Sequence, residues 1–180
     1  MDDTKLKKDQ QIPESSSEYD YLINTTFPSV SLPNQWDNLL LLNRNDTFRL
    51  VIYFYSMTGN PNKKLPNNWK EKGCTLENCM FRDNYENLIK LNALPLGISV
   101  QNVNDIKEMT TRLGIQYDVL SDSSLLLTKQ LSLPTFLIEN KIFVKKITII
   151  VEKNIIKKVF YPIFSINKHI DDIIKWLKTN

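Results

Sequence analysis

The sequence contains few side chains of the kinds that bind metals, with one histidine and two cysteines among 180 residues. A structural zinc site usually has four Cys or His ligands, and this chain offers three such residues. Glycine is also scarce, at four residues, and we attribute this to compositional bias in the coding sequence. We therefore expect no metal site.

Long apolar runs are missing as well. No run approaches the roughly 20 residues that span a bilayer, and residues 1–18 lack the apolar core of a secretory signal. The polar composition of residues 1–20 predicts a disordered lead-in. The formal net charge is only +3 and the basic residues are dispersed, which gives no support for a nucleic-acid partner. We expect a cytoplasmic protein that contacts neither membrane nor nucleic acid.

Apolar patterning from residue 27 onward predicts one α/β domain over residues 21–180. Strands and helices alternate, which favours a thioredoxin-like fold with a mixed central β-sheet flanked by helices and an N-terminal β-hairpin. The expected elements, in order, are a hairpin (27–32 and 39–42), a strand (48–55), a long loop (56–73), a helix (75–92), a strand (94–100), a helix (104–113) ended by Gly114, a strand (117–120), a helix capped by Ser121-Asp122, a hairpin (142–151 and 155–160) and a helix (166–178).

Within the helix predicted at 75–92, an apolar stripe is expected to include Leu76, Cys79 and Met80. In the last helix, His169 is expected on the exposed side and is given no role.

The two cysteines, Cys74 and Cys79, carry the most chemical information. Cys74 falls where a loop enters a helix, and free N–H groups and the helix dipole there favour a thiolate. A thiolate can cleave an O–O bond, and the resulting sulfenic acid condenses with a second thiol. Taken alone, the pair is equally consistent with two inert buried thiols.

The spacing of the cysteines has a geometric consequence. Five residues of α-helix turn through about 500°, which separates Cys74 and Cys79 by more than a disulfide accepts. A bond between them therefore predicts that the first turn or two of the helix unwinds.

The segment GCTLENC at residues 73–79, followed by FRDNY at 81–85, is similar to the signature of the peroxiredoxin Q / bacterioferritin-comigratory protein family. The resemblance covers about residues 27–178. It includes YFY at 53–55, LPTF at 133–136 and VFYP at 159–162, while MTG at 57–59 resembles a subgroup with an extended loop. It implies that Cys74 is peroxidatic and Cys79 resolving, with no cofactor.

The chain departs from the family pattern at two positions. The Thr or Ser expected three residues before the first cysteine is Glu71, and the Arg expected after the LPTF segment is Lys146. Thr58 is a candidate substitute for the missing hydroxyl, or else a turn residue. Lys146 is a candidate cation, or else a solvent-facing residue on an edge strand, and lacks the fixed fork of donors that Arg has. Arg82 is a second candidate cation, or else pairs with Asp83 or Glu86.

The resemblance implies a thiol peroxidase that acts on hydroperoxides and is recycled by thioredoxin or a similar dithiol. Because both cysteines lie in one chain, catalysis requires no dimer and we expect a monomer. Two alternatives remain open. A thiol–disulfide oxidoreductase on this fold would normally have two residues between its cysteines, and here there are four. A redox sensor or non-catalytic interaction domain is kept open by Glu71 and Lys146.

Overall fold

The computed structural model of the chain describes residues 17–43 and 47–180. Its described strands are β1 (Ser31–Pro33), β2 (Leu39–Leu41), β3 (Arg49–Phe54), β4 (Ala93–Ser99), β5 (Val119–Ser121), β6 (Thr135–Ile138), β7 (Lys141–Val144), β8 (Ile147–Glu152) and β9 (Ile155–Phe160). Its described helices are α1 (Cys74–Asp83), α2 (Tyr85–Lys90), α3 (Val103–Leu113), α4 (Leu126–Gln130) and α5 (Ile166–Thr179).

A five-stranded mixed sheet in the order β5-β4-β3-β8-β9 forms the centre of the molecule. β3 lies in the middle because its uninterrupted apolar and aromatic run suits burial on both faces. It pairs in parallel with β4 and antiparallel with β8. The predicted α/β class and mixed sheet are thus confirmed.

The alternation of side chains along β3 divides the core in two. Even-numbered residues from 50 to 54 pack with the N-terminal hairpin, α4 and β8 residues on one face. Odd-numbered residues from 51 to 55 pack against α1, α2, α3 and α5 on the other. Cys74 therefore belongs to the second face, where α1 covers the sheet.

Several predicted elements are confirmed. The N-terminal hairpin forms from β1 and β2, and α3 ends at Gly114, whose φ of 66° is the left-handed conformation that glycine favours. The Asp122 carboxylate accepts from the backbone N–H groups of Leu127 and Thr128 and so caps α4. Ser121, the other predicted cap residue, instead ends β5, and its hydroxyl donates to the Gln101 carbonyl.

The single helix predicted over residues 75–92 is instead two helices, α1 and α2. Asn84, at their junction, has φ −99° and ψ 7°, and its side-chain Nδ2 donates to the carbonyl oxygen of Met80. These dihedral angles depart from those of an α-helix, so α1 ends at this residue and α2 begins after it.

The buried face of α1 also differs from the prediction. Cys74, Glu77, Asn78 and Phe81 are the buried residues, whereas Leu76 is 47% exposed. Two polar side chains therefore take places on the buried face that the prediction gave to an apolar stripe through residues 76, 79 and 80.

The strand predicted at 142–151 is likewise two strands, β7 and β8. The chain leaves the β6–β7 hairpin at Lys145, whose N–H donates to the Pro134 carbonyl, and enters the central sheet at Ile147. The change of sheet places Lys146 between the two strands.

At the N-terminal side, Tyr19 packs edge-on against Tyr161, and Asp20–Leu22 forms a 3-10 helix. Among the described residues, packed structure thus begins before residue 21, the expected start of the domain. The rest of the predicted lead-in lies outside the described residues. In the described parts of the chain, no helix has the length and apolar character needed to cross a membrane.

Candidate active site

Cys74 is the first residue of α1, as the sequence predicts, and it is 4% exposed. The preceding Gly73 has φ 83°, a left-handed conformation that a residue with a Cβ adopts only with strain. This turn brings the extended loop to the helix, where Glu77 N–H donates to the Gly73 carbonyl at 2.7 Å.

The electrostatic environment of Cys74 differs from the one predicted. Burial raises the pKa of the Cys74 thiol, and the positive charge of Lys146 opposes that shift. Glu77 raises the pKa further, whereas hydrogen bonds from the backbone of Met57 and Ser56 lower it. The net direction is upward, because removal from water outweighs the groups that favour the thiolate.

Lys146 lies in this environment and not on an exposed edge strand, since it is 9% exposed. Its Nζ donates to Glu71 Oε2 at 3.1 Å. Burial lowers the pKa of Lys146, but Cys74, Glu71 and Glu77 together raise it above its ordinary value. Lys146 is therefore a cation, and the two residues that depart from the family pattern form an ion pair.

Glu77 is the most unusual group near Cys74. It is fully buried, and neither carboxyl oxygen has a hydrogen-bond partner among the described residues. Burial raises the pKa of Glu77 to about 8, although Lys146 acts in the opposite direction. The side chain is thus mainly a neutral carboxylic acid at neutral pH.

The other predicted site residues, Thr58 and Arg82, have their side chains bonded elsewhere. The Thr58 hydroxyl donates to Gln101 Oε1 at 3.2 Å. Arg82 pairs with Asp83 and donates to the Leu113 carbonyl at 2.6 Å, and Cys79 is the cysteine with which it interacts electrostatically. The structure therefore brings Lys146 together with Cys74, and associates Arg82 with Cys79.

Cys79 is half-buried and lies five residues along α1, and both thiols are free in this structure. Helix geometry separates the two residues by about 7.5 Å along the axis, beyond the Cα distance that a disulfide spans.

A buried hydrogen-bonded chain below α1 was not anticipated from the sequence. Asn78 Nδ2 donates to the Cys74 carbonyl at 2.9 Å, and its Oδ1 accepts from the Tyr53 hydroxyl at 2.8 Å. The Tyr53 and Tyr117 hydroxyl oxygens are 2.8 Å apart. Only the polar character of Asn78 on a buried helix face could have signalled this chain.

His169 also departs from its expected position, since it is 5% exposed. Its Nε2 lies 2.9 Å from Thr148 Oγ1, and its ring meets Phe81 and Phe160 edge-on. Burial lowers the pKa of His169 to about 4, so the ring is neutral at neutral pH. The side chain packs α5 on the sheet.

The extended loop before Cys74 is fixed at several points. Arg112 Nη2 donates to the Gly59 carbonyl at 2.8 Å, and Asn67 N–H donates to Glu139 Oε1 at 3.1 Å. Trp69 packs against Phe136 and Phe143 of the β6–β7 hairpin. This aromatic residue is thus a packing residue, as the sequence favours. Among the described residues, no group of three or more acidic, His or Cys side chains is arranged to hold a metal ion.

The chain is similar to known proteins over most of its length. The AhpC/TSA family model matches residues 23–159. A chloroplastic peroxiredoxin Q of Populus jackii is 27% identical over an alignment of 177 residues, which covers 93% of this chain and 76% of the relative. Across the plant peroxiredoxin Q relatives compared, the chain spans between 54% and 77% of their length.

Two solved structures are similar in fold. Peroxidoxin BcpB from Mycobacterium tuberculosis superposes with a TM-score of 0.74 at 23% identity, over 87% of this chain and 96% of that one. The bacterioferritin comigratory protein of Xanthomonas campestris gives 0.69 at 20% identity, over 86% and 92%. These likenesses confirm the thioredoxin-like fold. Since the family model covers most of the chain, the protein belongs to the AhpC/TSA family and is a peroxiredoxin enzyme.

Proposed function

We propose that the protein reduces hydrogen peroxide and organic hydroperoxides with Cys74 as the peroxidatic cysteine and Cys79 as the resolving cysteine. The observation that carries the proposal is the position of Cys74 at the start of α1, with the cation Lys146 beside it and Cys79 in the same helix. The alkyl peroxide reduction activity of the Xanthomonas campestris bacterioferritin comigratory protein supports the inclusion of organic hydroperoxides.

In the first step the Cys74 thiolate attacks one peroxide oxygen, and the O–O bond breaks. Sulfur is oxidised to sulfenic acid, and the departing oxygen takes a proton and leaves as water or an alcohol. The Lys146 charge favours both the thiolate and the negative charge on the departing oxygen. Because burial raises the pKa of Cys74, the rate increases with pH.

In the second step the Cys79 thiol attacks the sulfenic sulfur, and water leaves as the disulfide forms. This step requires residues 74–79 to unwind, since the helix holds the cysteines apart. Thioredoxin or a similar dithiol then reduces the disulfide by exchange. Both cysteines lie in one chain, so a monomer is sufficient, and a cytoplasmic location remains our prediction.

Mass spectrometry after one equivalent of peroxide tests the assignment. The wild-type protein should lose two hydrogens as Cys74–Cys79 disulfide forms. Cys79→Ser should gain one oxygen on Cys74 and stop there, and Cys74→Ser should have no turnover with thioredoxin. Full turnover in Cys74→Ser would reverse the roles.

A redox sensor is the second candidate, because Glu71 partly neutralises Lys146. It predicts that Cys74 is oxidised slowly and that the disulfide is not recycled at a catalytic rate. Stopped-flow oxidation by hydrogen peroxide, followed by thioredoxin turnover, separates the two functions.

A further inference from the structure

The segment that must unwind for disulfide formation contains Asn78, whose side chain is fully buried and bonded at both ends. Its amide nitrogen bonds to the Cys74 carbonyl in the first turn of α1. Its amide oxygen accepts from the hydroxyl of Tyr53, in the central strand β3. Asn78 therefore connects the backbone of the peroxidatic cysteine to the most buried strand of the sheet.

The direction of each hydrogen bond in the series from Tyr117 through Tyr53 and Asn78 to the Cys74 carbonyl is fixed. The amide nitrogen must face the Cys74 carbonyl, which is an acceptor only, so the amide oxygen faces Tyr53. Tyr53 then gives its one proton to Asn78, and the Tyr117 hydroxyl donates to the Tyr53 oxygen. All the donors thus point toward the start of α1.

The aromatic rings hold this chain in place. The Tyr53 ring stacks on Phe81 of α1, with centroids 4.0 Å apart and planes 6° from parallel. The Tyr117 ring stacks on Tyr85 at 5.7 Å. Gly97 makes room for the Tyr53 hydroxyl, because a Cβ there would lie 2.7 Å from that oxygen.

Unwinding removes Asn78 from this arrangement and leaves the buried Tyr53 hydroxyl without its acceptor, which is unfavourable. We propose that Asn78, held by Tyr53, is a positioning residue that keeps the first turn of α1 wound and so slows the attack of Cys79 on the Cys74 sulfenic acid. This inference rests on the proposed roles of the two cysteines.

A slower second step has a chemical consequence. Before Cys79 reacts with the sulfenic acid, a second hydroperoxide can oxidise it to sulfinic acid, and that peroxide is reduced to water or an alcohol. The Asn78–Tyr53 contact thus sets the partition between disulfide and sulfinic acid at a given peroxide concentration.

The test compares Asn78→Ala and Tyr53→Phe with Asn84→Ala. Asn84 is the matched control because its Nδ2 also donates to the carbonyl four residues earlier, at 2.9 Å, but beyond Cys79. Rapid quench with a thiol-alkylating reagent and mass spectrometry measures the rate of disulfide formation from the sulfenic acid, and the sulfinic fraction as peroxide is raised.

Tyr53→Phe should form disulfide about fivefold faster, which is the factor for the loss of one net hydrogen bond. Asn78→Ala also loses the bond to the Cys74 carbonyl and should be at least as fast. Both should need more peroxide to reach the same sulfinic fraction, and the double variant should match Asn78→Ala. Asn84→Ala should behave as wild type. Wild-type rates and sulfinic fractions in both test variants would overturn the inference, whereas a wild-type protein that forms no Cys74–Cys79 disulfide would overturn the proposed function.

Discussion

Lys146 Nζ lies 3.1 Å from Glu71 Oε2, and the pair they form is within electrostatic reach of the Cys74 sulfur. Lys146 is 9% exposed and Glu71 35%, so the pair lies at the boundary between the core and solvent. One negative charge therefore offsets the cation that favours the Cys74 thiolate. The reactivity of this cysteine depends on the balance within the pair.

Replacement of Lys146 should lower the reactivity of Cys74. In Lys146→Met we expect the pKa of Cys74 to rise, since the largest influence that lowers it is gone. The rate with hydrogen peroxide at neutral pH should fall roughly tenfold for each unit of that rise. In a Cys79→Ser background, thiolate absorbance measures the pKa of Cys74 and stopped-flow oxidation measures the rate. Lys141→Met, on the exposed start of β7, is the control, and an unchanged pKa in Lys146→Met would contradict the role of this cation.

Replacement of Glu71, the ion-pair partner of Lys146, should lower the pKa of Cys74. Glu71→Gln keeps the size of the side chain and removes its charge, so Lys146 then acts on Cys74 without compensation. We expect a lower pKa of Cys74 and faster oxidation at neutral pH, measured in the same way. Slower oxidation would instead show that Glu71 helps to position Lys146.

The pH dependence of stability should reveal the buried Glu77. Its pKa is about 8 in the folded protein, above the ordinary 4.5, so the folded state binds the extra proton between these values. The stability that the protonated Glu77 contributes is therefore fully present below pH 4.5 and declines as pH rises toward 8, by at most roughly 1.4 kcal/mol per pH unit. Urea unfolding between pH 6.5 and 8, above the interval in which His169 acts, should show a slope that Glu77→Gln removes and that Glu86→Gln, exposed in α2, retains. An identical slope in all three proteins would contradict the burial of an acid at position 77.

His169 should produce a separate loss of stability in acid. Burial lowers its pKa to about 4 from the ordinary 6.5, so the unfolded chain binds the extra proton in that interval. The stability that the neutral His169 contributes is fully present above pH 6.5 and declines as pH falls toward 4. His169→Gln, which can still hydrogen-bond to Thr148, should flatten this part of the urea-unfolding profile, and a profile unchanged by the substitution would exclude the effect.

Gly97 should tolerate no side chain. A Cβ at this position would lie 2.7 Å from the Tyr53 hydroxyl oxygen and 2.8 Å from its ring. Gly97→Ala should therefore lower the free energy of unfolding by roughly 1–3 kcal/mol. Gly59→Ala is the control, because its Cβ would meet Leu65 at 3.9 Å, and it should change stability by less than about 0.5 kcal/mol. Equal effects in urea unfolding would contradict the close approach.

The fold was largely predictable because its main signals are local. The continuous apolar run of β3 and the position of Gly114 after α3 both identify structure without knowledge of the partners. The split between β7 and β8 was not predictable in this way. Residues 142–151 form one β-rich run, and whether a run stays in one sheet depends on tertiary contacts such as the Lys145–Pro134 hydrogen bond.

The candidate site was predictable in its chemistry but not in its electrostatics. The spacing of Cys74 and Cys79 and the match of Lys146 to a cation position are features of the sequence. Helical spacing also places Glu77 on the face of Cys74, and His169 on the face of Ile173. Polar residue type argued against burial in both cases, and only the structure shows that the core accepts their neutral forms.

The interruption of the helix at Asn84 would confine the rearrangement that the proposed Cys74–Cys79 disulfide requires. α2 begins after the break and is anchored by the fully buried Leu88. Unwinding of residues 74–79 would therefore leave the chain from Tyr85 onward in its place against β4. In the proposed cycle, the rearranged segment is short, and only a small part of the core would be exposed.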